Sequence, residues 1–364
     1  MTKIAVLPGD GIGPEICAAA RTVLEALDTR YGLDIEFSEI GIGFAALKAQ
    51  GSTFPEQAFQ TVENVDGIIL GPVSHLEYPP RDKGGLNPSG ELRKRLDLYA
   101  NIRPAATRPE LPSRTGAAFD LVIYRENTEG FYADRSMHSG IGELQVTADV
   151  TVAMRRITRH ASMRIAEAAF SGASRRGRKV TAVHKQNVLR ITDGLFLECC
   201  REVGGHYPDV AYEELLVDAA CAHLVRHPER FDVIVTTNMF GDILSDLASE
   251  LTGSLGLAAS LNAGDVHAMA QAQHGSAPDI AGKGIANPAS LIGSTGMLLE
   301  WLGRRKVNAK LVAAGRSLMD ALDRTLSNPA TRTRDIGGKL GTDGFARSVA
   351  ASLTDNHPAA WPSV

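Results

Sequence analysis

Two kinds of hydrophobic pattern alternate along the chain. Residues 3–7 (KIAVL), 66–70 (DGIIL), 120–124 (DLVIY), 180–184 (VTAVH) and 231–236 (FDVIVT) are short, nearly continuous apolar runs. Runs of this length, bounded by turn residues, fit buried strands. Between them, apolar positions recur every three or four residues. Ile16, Ala20, Val23, Leu24 and Leu27 share one helical face, with Pro14 suited to the first turn and Gly32 beyond the end. Residues 163–170 and 195–203 predict further helices, and from Asn287 onward the pattern is mainly helical. Strands alternating with helices predict an α/β layered fold. Residues 71–86 form a Pro/Gly-rich loop long enough to suggest function. A helix should follow it, with Asn87 as N-cap and Pro88 in the first position. The segment 131–152 is more polar and predicts an arm or hairpin outside the core.

Composition narrows this picture. The chain has 364 residues, whereas single hydrophobic cores stop growing at about 250–300, so two domains are expected. Hydrophobic residues at 44% and charged residues at 22% exclude intrinsic disorder. A net charge of −4 and 5% aromatics argue against nucleic-acid binding. The densest basic run, Arg175, Arg176, Arg178 and Lys179, reads as a solvated helix end whose cations complement the dipole, in preference to a binding patch. Cys17, Cys199, Cys200 and Cys221 form no CxxC motif and predict reduced thiols in a cytoplasmic protein. The start of the chain does not read as a signal peptide. The longest uncharged stretch, 284–299, is rich in Gly, Ser and Thr; it is short of the roughly 18 apolar residues of a membrane span, so no membrane partner is expected.

Candidate chemistry lies at the element ends. Strand–GDGIGPE–helix looks like a dinucleotide fingerprint, but Gly9, Gly11 and Gly13 give GxGxG followed by Pro14, which is not the Rossmann spacing. Asp242 and Asp246 are i and i+4 on a helix whose buried side is marked by Ile243, Leu244, Leu247 and Leu251. Like charges at that spacing repel, and a divalent cation between them would reverse the sign; oxygen ligands suit Mg²⁺ or Mn²⁺. The other reading, acids complementing the helix dipole, serves Asp242 better than Asp246. Arg93, Arg103 and Arg125 each stand near an element end, where guanidinium forks could hold carboxylates or make surface ion pairs. Lys185 and Asn187 follow a strand, and a desolvated lysine there could act as a general base. Tyr132 is a phenol in a polar loop, where packing alone would also account for it.

Taken together, LPGDGIGPE (7–15), LDLYANIRP (96–104), RENTEG (125–130), HKQNV (184–188), TTNMFGDILSDLAS (236–249) and HGSAPDIAGKGIANP (274–288) resemble the β-decarboxylating dehydrogenases. That family includes isocitrate, homoisocitrate, isopropylmalate and tartrate/D-malate enzymes. The resemblance implies a two-lobed α/β fold with a mixed central sheet flanked by helices. Residues 1–98 and 253–364 would form a large cofactor-binding domain. Residues 99–252 would form a smaller substrate, metal and dimerisation domain with an arm near 131–152. It implies NAD and Mg²⁺ or Mn²⁺ as cofactors, and a homodimer with a shared site. Asp242, Asp246 and the partner's Asp218 would bind the metal. Arg93, Arg103 and Arg125 would hold the malate-like part of a hydroxy-dicarboxylate or tricarboxylate, with Ser89 and Asn187 beside it. Lys185 and Tyr132 would move protons. Ile12, the turn His274, Gly275, Ser276, Ala277, Pro278 and Asp279, and Asn287 would bind the cofactor. The implied reaction is oxidation at carbon 2, with hydride passing to NAD⁺, then loss of the 3-carboxylate as CO₂. Lys185 would take the hydroxyl proton and Tyr132 would return one to carbon 3. Asp279 can accept from ribose hydroxyls and would repel a 2′-phosphate, which favours NAD over NADP.

Two features depart from that pattern. Isopropylmalate enzymes carry leucines about one turn before the first arginine, whereas this chain reads NPSGELR (87–93). Polar groups facing an isopropyl group would be left unpaired. Either the 3-substituent is polar or small, or Asn87 and Ser89 only cap the helix and 3-isopropylmalate remains the alternative. The second departure is Gln271, at the place of a family glutamate. A non-catalytic regulatory subunit should have lost part of the Lys, Tyr and Asp set, and none is missing here.

Overall fold

The computed structural model describes residues 1–108, 110–111, 113–132, 137, 140 and 142–353. Twelve strands are present among them: β1 Thr2–Leu7, β2 Ile35–Glu39, β3 Gly67–Leu70, β4 Ala100–Ala106, β5 Asp120–Glu126, β6 Glu143–Thr147, β7 Val150–Ala153, β8 Lys179–His184, β9 Ala211–Leu216, β10 Val233–Thr236, β11 Leu261–Ala263 and β12 Ala268–Gln271. Ten of them form one sheet in the order β2-β1-β3-β12-β11-β4-β5-β10-β8-β9. The pairs β12/β11, β11/β4 and β4/β5 are antiparallel and the others parallel, so the sheet is mixed. Strands from 99–252 occupy one half, and strands from the two chain ends occupy the other. They meet at β11/β4, where three residue pairs join the halves.

All five apolar runs became strands, though the last begins two residues late, at Val233. The strands that the pattern did not reveal have physical reasons to be inconspicuous. β4 carries Pro104 in its interior, which weakens any strand reading. β11 and β12 are only three and four residues long. β2 and β9 are half-exposed and partly acidic.

Helices cover both faces. Helix α1 (Gly13–Tyr31) ends at Gly32, whose left-handed φ of 59° lets its N–H reach the Asp28 carbonyl. Helix α2 (Gly43–Gln50) follows β2, and α3 (Glu56–Val62) packs on the face of β1 and β3 opposite α1. Helix α4 (Pro88–Arg95) is capped by Asn87, whose side chain accepts from Gly90 N at 3.3 Å. Helices α5 (Arg159–Ala173), α6 (Thr192–Gly204), α7 (Val217–Arg226) and α8 (Asn238–Leu251) belong to the inserted half. Helices α9 (Ala289–Arg305), α10 (Ala309–Ser327) and α11 (Thr342–Ala351) complete the chain. Alternation along β4 and β5 divides the core. Ile102, Val122 and Tyr124 pack toward α5 and α9, whereas Ala105, Leu121 and Ile123 pack toward α8. No helix among the described residues is long and apolar enough to cross a membrane. All four thiols are free.

β6 and β7 form a separate two-stranded sheet with Leu144, Val146, Val150 and Val152 exposed. Residues 133–136, 138–139 and 141 of the expected arm lie outside the described residues.

Two expectations need correction. Ile243 does not mark the buried side of α8; it is 53% exposed. Leu244, Ala248 and Leu251 fill the core, joined by the small residues Gly241, Ser245 and Ser249. Nor is the basic run a uniformly solvated helix end. The Arg176 side chain is nearly buried and reaches Asp232 at 2.5 Å and Asp120 at 3.0 Å, tying α5 to β5 and to the start of β10.

Candidate active site

The glycine loop is a backbone joint. Gly9 and Gly11 have φ of 73° and 58°. A Cβ on Gly11 would lie 2.0 Å from the Ser276 carbonyl oxygen, so only glycine fits. Ile12 N donates to that same oxygen at 2.8 Å, locking the 8–13 loop to the 274–279 turn. Asp10 then gathers the 71–86 loop. Its carboxylate accepts from Phe44 N at 2.8 Å, Ser74 N at 3.0 Å and the Tyr78 hydroxyl. Ser74 and Ser276 hydroxyls meet at 2.7 Å.

On the α8 side of β4 and β5 lies a cleft of about 280 Å³. Ser89, Arg93, Arg103, Arg125, Tyr132 and Asp242 all line it, although they come from four separate stretches of chain. Gly241 makes the closest approach possible: a Cβ there would lie 2.6 Å from Arg125 Cβ, so α8 can press directly on β5. Arg125 then grips α8 with Nε and Nη2 on Asn238 Oδ1, at 3.0 and 2.7 Å, and Nη1 on Asp242. Arg103 Nη1 reaches Asp242 at 3.2 Å, Asp246 at 3.3 Å and Ser245 Oγ at 2.6 Å. The Tyr132 hydroxyl donates to Asp242 Oδ2 at 2.9 Å.

The two aspartates are electrostatically unlike. Burial pushes the Asp242 carboxyl up, but Arg125, Arg103 and the Tyr132 hydroxyl outweigh it and hold it below the usual range. Burial keeps the Asp246 carboxyl above its ordinary value; Arg103 opposes this, and the like charge of Asp242 adds to it. A divalent cation beside Asp242 would offset the cost of burying the Asp246 carboxylate. No group of three or more metal-binding side chains converges among the described residues of the single chain. Two carboxylates from one chain are a partial set that needs ligands from elsewhere.

A polar relay connects the arginines. Gln271 Oε1 accepts from Ser89 Oγ at 3.2 Å, Arg93 Nη2 at 3.0 Å and Asn262 Nδ2 at 3.3 Å. Asn262 Oδ1 accepts from Asn101 Nδ2 at 2.6 Å, and Asn101 Oδ1 from Arg103 Nε at 2.5 Å. Below Tyr132, Glu129 anchors the loop by accepting from Thr158 N at 2.8 Å and Thr158 Oγ1 at 3.0 Å. Burial, with the like charge of Glu126, pushes its carboxyl up to about 7 against the hydrogen bonds from Thr158.

Lys185, Asn187 and Asp218 do not line this cleft. Lys185 Nζ instead stands 2.5 Å from Asp218 Oδ1. The Lys185 backbone is held from within by Asp193, which is fully buried and accepts from Lys185 N at 2.5 Å and Arg155 Nη1 at 2.5 Å. Sequence reasoning missed Asp193, which lies ahead of the apolar pattern expected at 195–203, and it missed Arg155 and Asp10 as well.

The residues expected at the cofactor split into two groups. A neighbouring groove of about 210 Å³ is lined by Ile12, His274, Gly275, Ala277 and Asn287 with Ile280 and Ala286. His274 and Gly275 line the arginine cleft too, so the two adjoin. Ser276 turns away to Ser74, and Pro278 and Asp279 are exposed outside the groove lining. Asn287 donates to Asp335 Oδ2 at 2.9 Å.

Comparison with known proteins bears on the chain as a whole. The family model described as isocitrate/isopropylmalate dehydrogenase matches residues 3–350. A 3-isopropylmalate dehydrogenase of Saccharolobus solfataricus is 43% identical over 336 residues, covering 92% of this chain and 95% of that protein. An isocitrate/homoisocitrate dehydrogenase of Thermus thermophilus is 43% identical over 353 residues, covering 96% and 98%. The crystal structure of isocitrate dehydrogenase from Methylococcus capsulatus superposes with a TM-score of 0.85 at 38% identity, covering 97% of this chain and 99% of that one. The mixed sheet flanked by helices and the near-complete match place the chain among enzymes: it belongs to the isocitrate/isopropylmalate dehydrogenase family of oxidatively decarboxylating dehydrogenases.

Proposed function

We propose that this enzyme oxidises and decarboxylates a 3-substituted (2R)-malate with NAD⁺, and that the 3-substituent is polar or small. The carrying observation is the convergence of Arg93, Arg103, Arg125, Tyr132 and Asp242 on one cleft. Three guanidiniums suit the carboxylates of a hydroxy-dicarboxylate or tricarboxylate. Asp242 and Asp246, with Asp218 of the partner subunit, would hold Mg²⁺ or Mn²⁺, which would polarise the carbon 2 oxygen and stabilise the enolate. The groove at Ile12, His274 and Asn287 would hold NAD, the acceptor of the carbon 2 hydride. The exposed Asp279 beside it would disfavour a 2′-phosphate.

Because Lys185 Nζ is 2.5 Å from Asp218, whichever chain supplies one to a site supplies the other. We therefore read the working site as shared across a homodimer. Lys185 and Asn187 of one protomer would enter the cleft of the other, Lys185 to take the hydroxyl proton. Tyr132 would return a proton to carbon 3. The exposed apolar side chains Ile243 on α8, Val225 on α7, Ile191 before α6, and Val150 and Val152 on the arm support a contact surface there. Residues 1–98 with 253–364 form one lobe in this reading, and 99–252 the other. A cytoplasmic location is in keeping with four free thiols.

Support for a polar or small substituent comes from Ser89 Oγ and Gln271, which line the cleft beside Arg93. Asn87 caps α4 and also lines it. The test is a panel of isocitrate, homoisocitrate, tartrate, D-malate and 3-isopropylmalate, each with NAD⁺ and NADP⁺ and Mn²⁺, read by reduced-nucleotide absorbance. The expected result is the highest kcat/KM with a polar or small substituent and NAD⁺. Preferred turnover of 3-isopropylmalate would overturn the substrate reading and leave the reaction class standing.

A further inference from the structure

The opposite face of the β11–β4–β5 junction holds a cavity of about 500 Å³, larger than the arginine cleft. Strand alternation creates both. Asn101, Arg103 and Arg125 project to the cleft side, while Ala100, Ile102 and Tyr124 line the second cavity. Its walls come from both halves of the sheet. Ala168, Ser171 and Arg175 belong to α5 and the turn after it; Trp301, Arg304 and Arg305 belong to α9.

The lining is rich in cations. Arg175 Nη1 donates to Ser171 Oγ at 2.8 Å, and the Arg305 guanidinium lies 5.6 Å from the centre of the Trp301 ring. Neither has a carboxylate partner among the described residues. Arg304 has one, the buried Glu300 at 2.9 Å. Burial pushes the Arg304 guanidinium down even so, and Arg175 adds to the crowding of positive charge. Asp265, the one acid among the described lining residues, accepts from the Tyr99 hydroxyl at 3.3 Å. Tyr99, Trp301, Ile102 and Met297 offer apolar surface beside these cations.

We propose that this cavity is a regulatory binding site for a small organic dianion with a flat apolar body, of the aryl or nucleoside phosphate class. The anion bridges Arg175 and Arg305, and the ring lies against Trp301. Since only three residue pairs join β11 to β4, a ligand spanning α5 and α9 fixes the angle between the two halves of the sheet. The cleft on the other face reads that angle.

Trp301 is one of two tryptophans, so a W361F chain reports on the cavity alone through its fluorescence. Titration with phenyl phosphate, uridine monophosphate and inorganic phosphate separates the possible sources of the anion. The expected result is a saturable change with at least one organic phosphate and none with inorganic phosphate. Binding should weaken about tenfold or more in Arg175→Glu, which reverses one charged contact. Ala168→Phe, which fills the cavity without touching charge, should weaken it similarly. Both variants should keep the KM for the hydroxy acid, and the ligand should alter turnover without competing with that substrate. The proposal is overturned by no saturable change, by a change that survives both variants, by an equal response to inorganic phosphate, or by competition with the hydroxy acid. The fluorescence readout is independent of turnover, so its outcome is separate from that of the catalytic reading.

Discussion

Asp193 is the most consequential buried charge outside the cleft. Its carboxylate is fully buried and pairs with Arg155, whose side chain is 6% exposed. Arg155 also donates to Thr192 Oγ1 at 2.7 Å and Thr237 Oγ1 at 3.0 Å, so it joins α6 to the start of α8. Substituting Asp193→Asn leaves the guanidinium buried without its counter-charge. The amide can accept from Lys185 N or from Arg155, while its NH₂ faces the other donor. Breaking one side of a buried pair costs about 3–5 kcal/mol, and this should appear as a lower urea midpoint at unchanged slope. Arg155→Met in the same background removes the stranded charge, so the double variant should recover part of that loss. The cycle should give a coupling of about 2 kcal/mol or more. Because Asp193 also fixes the Lys185 backbone, folded Asp193→Asn should lose kcat more than KM. A displacement near 1 Å can cost about 10²-fold in rate. The reasoning fails if Asp193→Asn lies within about 1 kcal/mol of the parent, or if the two substitutions simply add.

Three further outcomes follow from the site. Tyr132→Phe deletes the hydroxyl on Asp242, and kcat should fall about 10²-fold or more with the circular dichroism spectrum unchanged; a full-speed variant would remove Tyr132 from proton transfer. Gln271→Glu places a carboxylate 3.0 Å from Arg93 Nη2, which should compete with substrate and raise KM about tenfold at similar kcat; an unchanged KM would mean that Arg93 does not bind the substrate. Glu129 is pushed up to about 7 in the fold, so the native state holds its proton where the unfolded chain has released it. Stability should therefore fall as pH rises from about 4.5 through about 7 and then level. Glu129→Gln should flatten the upper part of that slope, with Glu126, also raised by burial, accounting for the remainder; an identical slope in the variant would contradict the assignment.

The sequence was most legible where local pattern and burial agree. The five apolar runs, the Gly32 stop of α1 and the Asn87 cap all carry their cause within a few residues. The pattern showed β5 but not β4, β11 or β12, since Pro104 and the shortness of β11 and β12 obscure the junction where the site forms. Asp10 was invisible because its partners lie 34, 64 and 68 residues away. Ile243 was misplaced because α8 has apolar residues over a wider arc than the single chain buries, and small residues take the positions a leucine would otherwise fill. The Asp279 argument concerned charge alone and could not foresee that the side chain stands outside the groove lining.

The ion pair between Lys185 and Asp218 has a genetic consequence if the proposed dimer forms. Lys185→Ala and Asp242→Asn would each inactivate every site of their own homodimer. In a mixed dimer, one site receives both lesions and the other receives neither. Unfolding and refolding the two dead proteins together should thus regenerate activity, with roughly a quarter of all sites intact at random pairing. Two defective alleles of this gene could complement one another in a single cell.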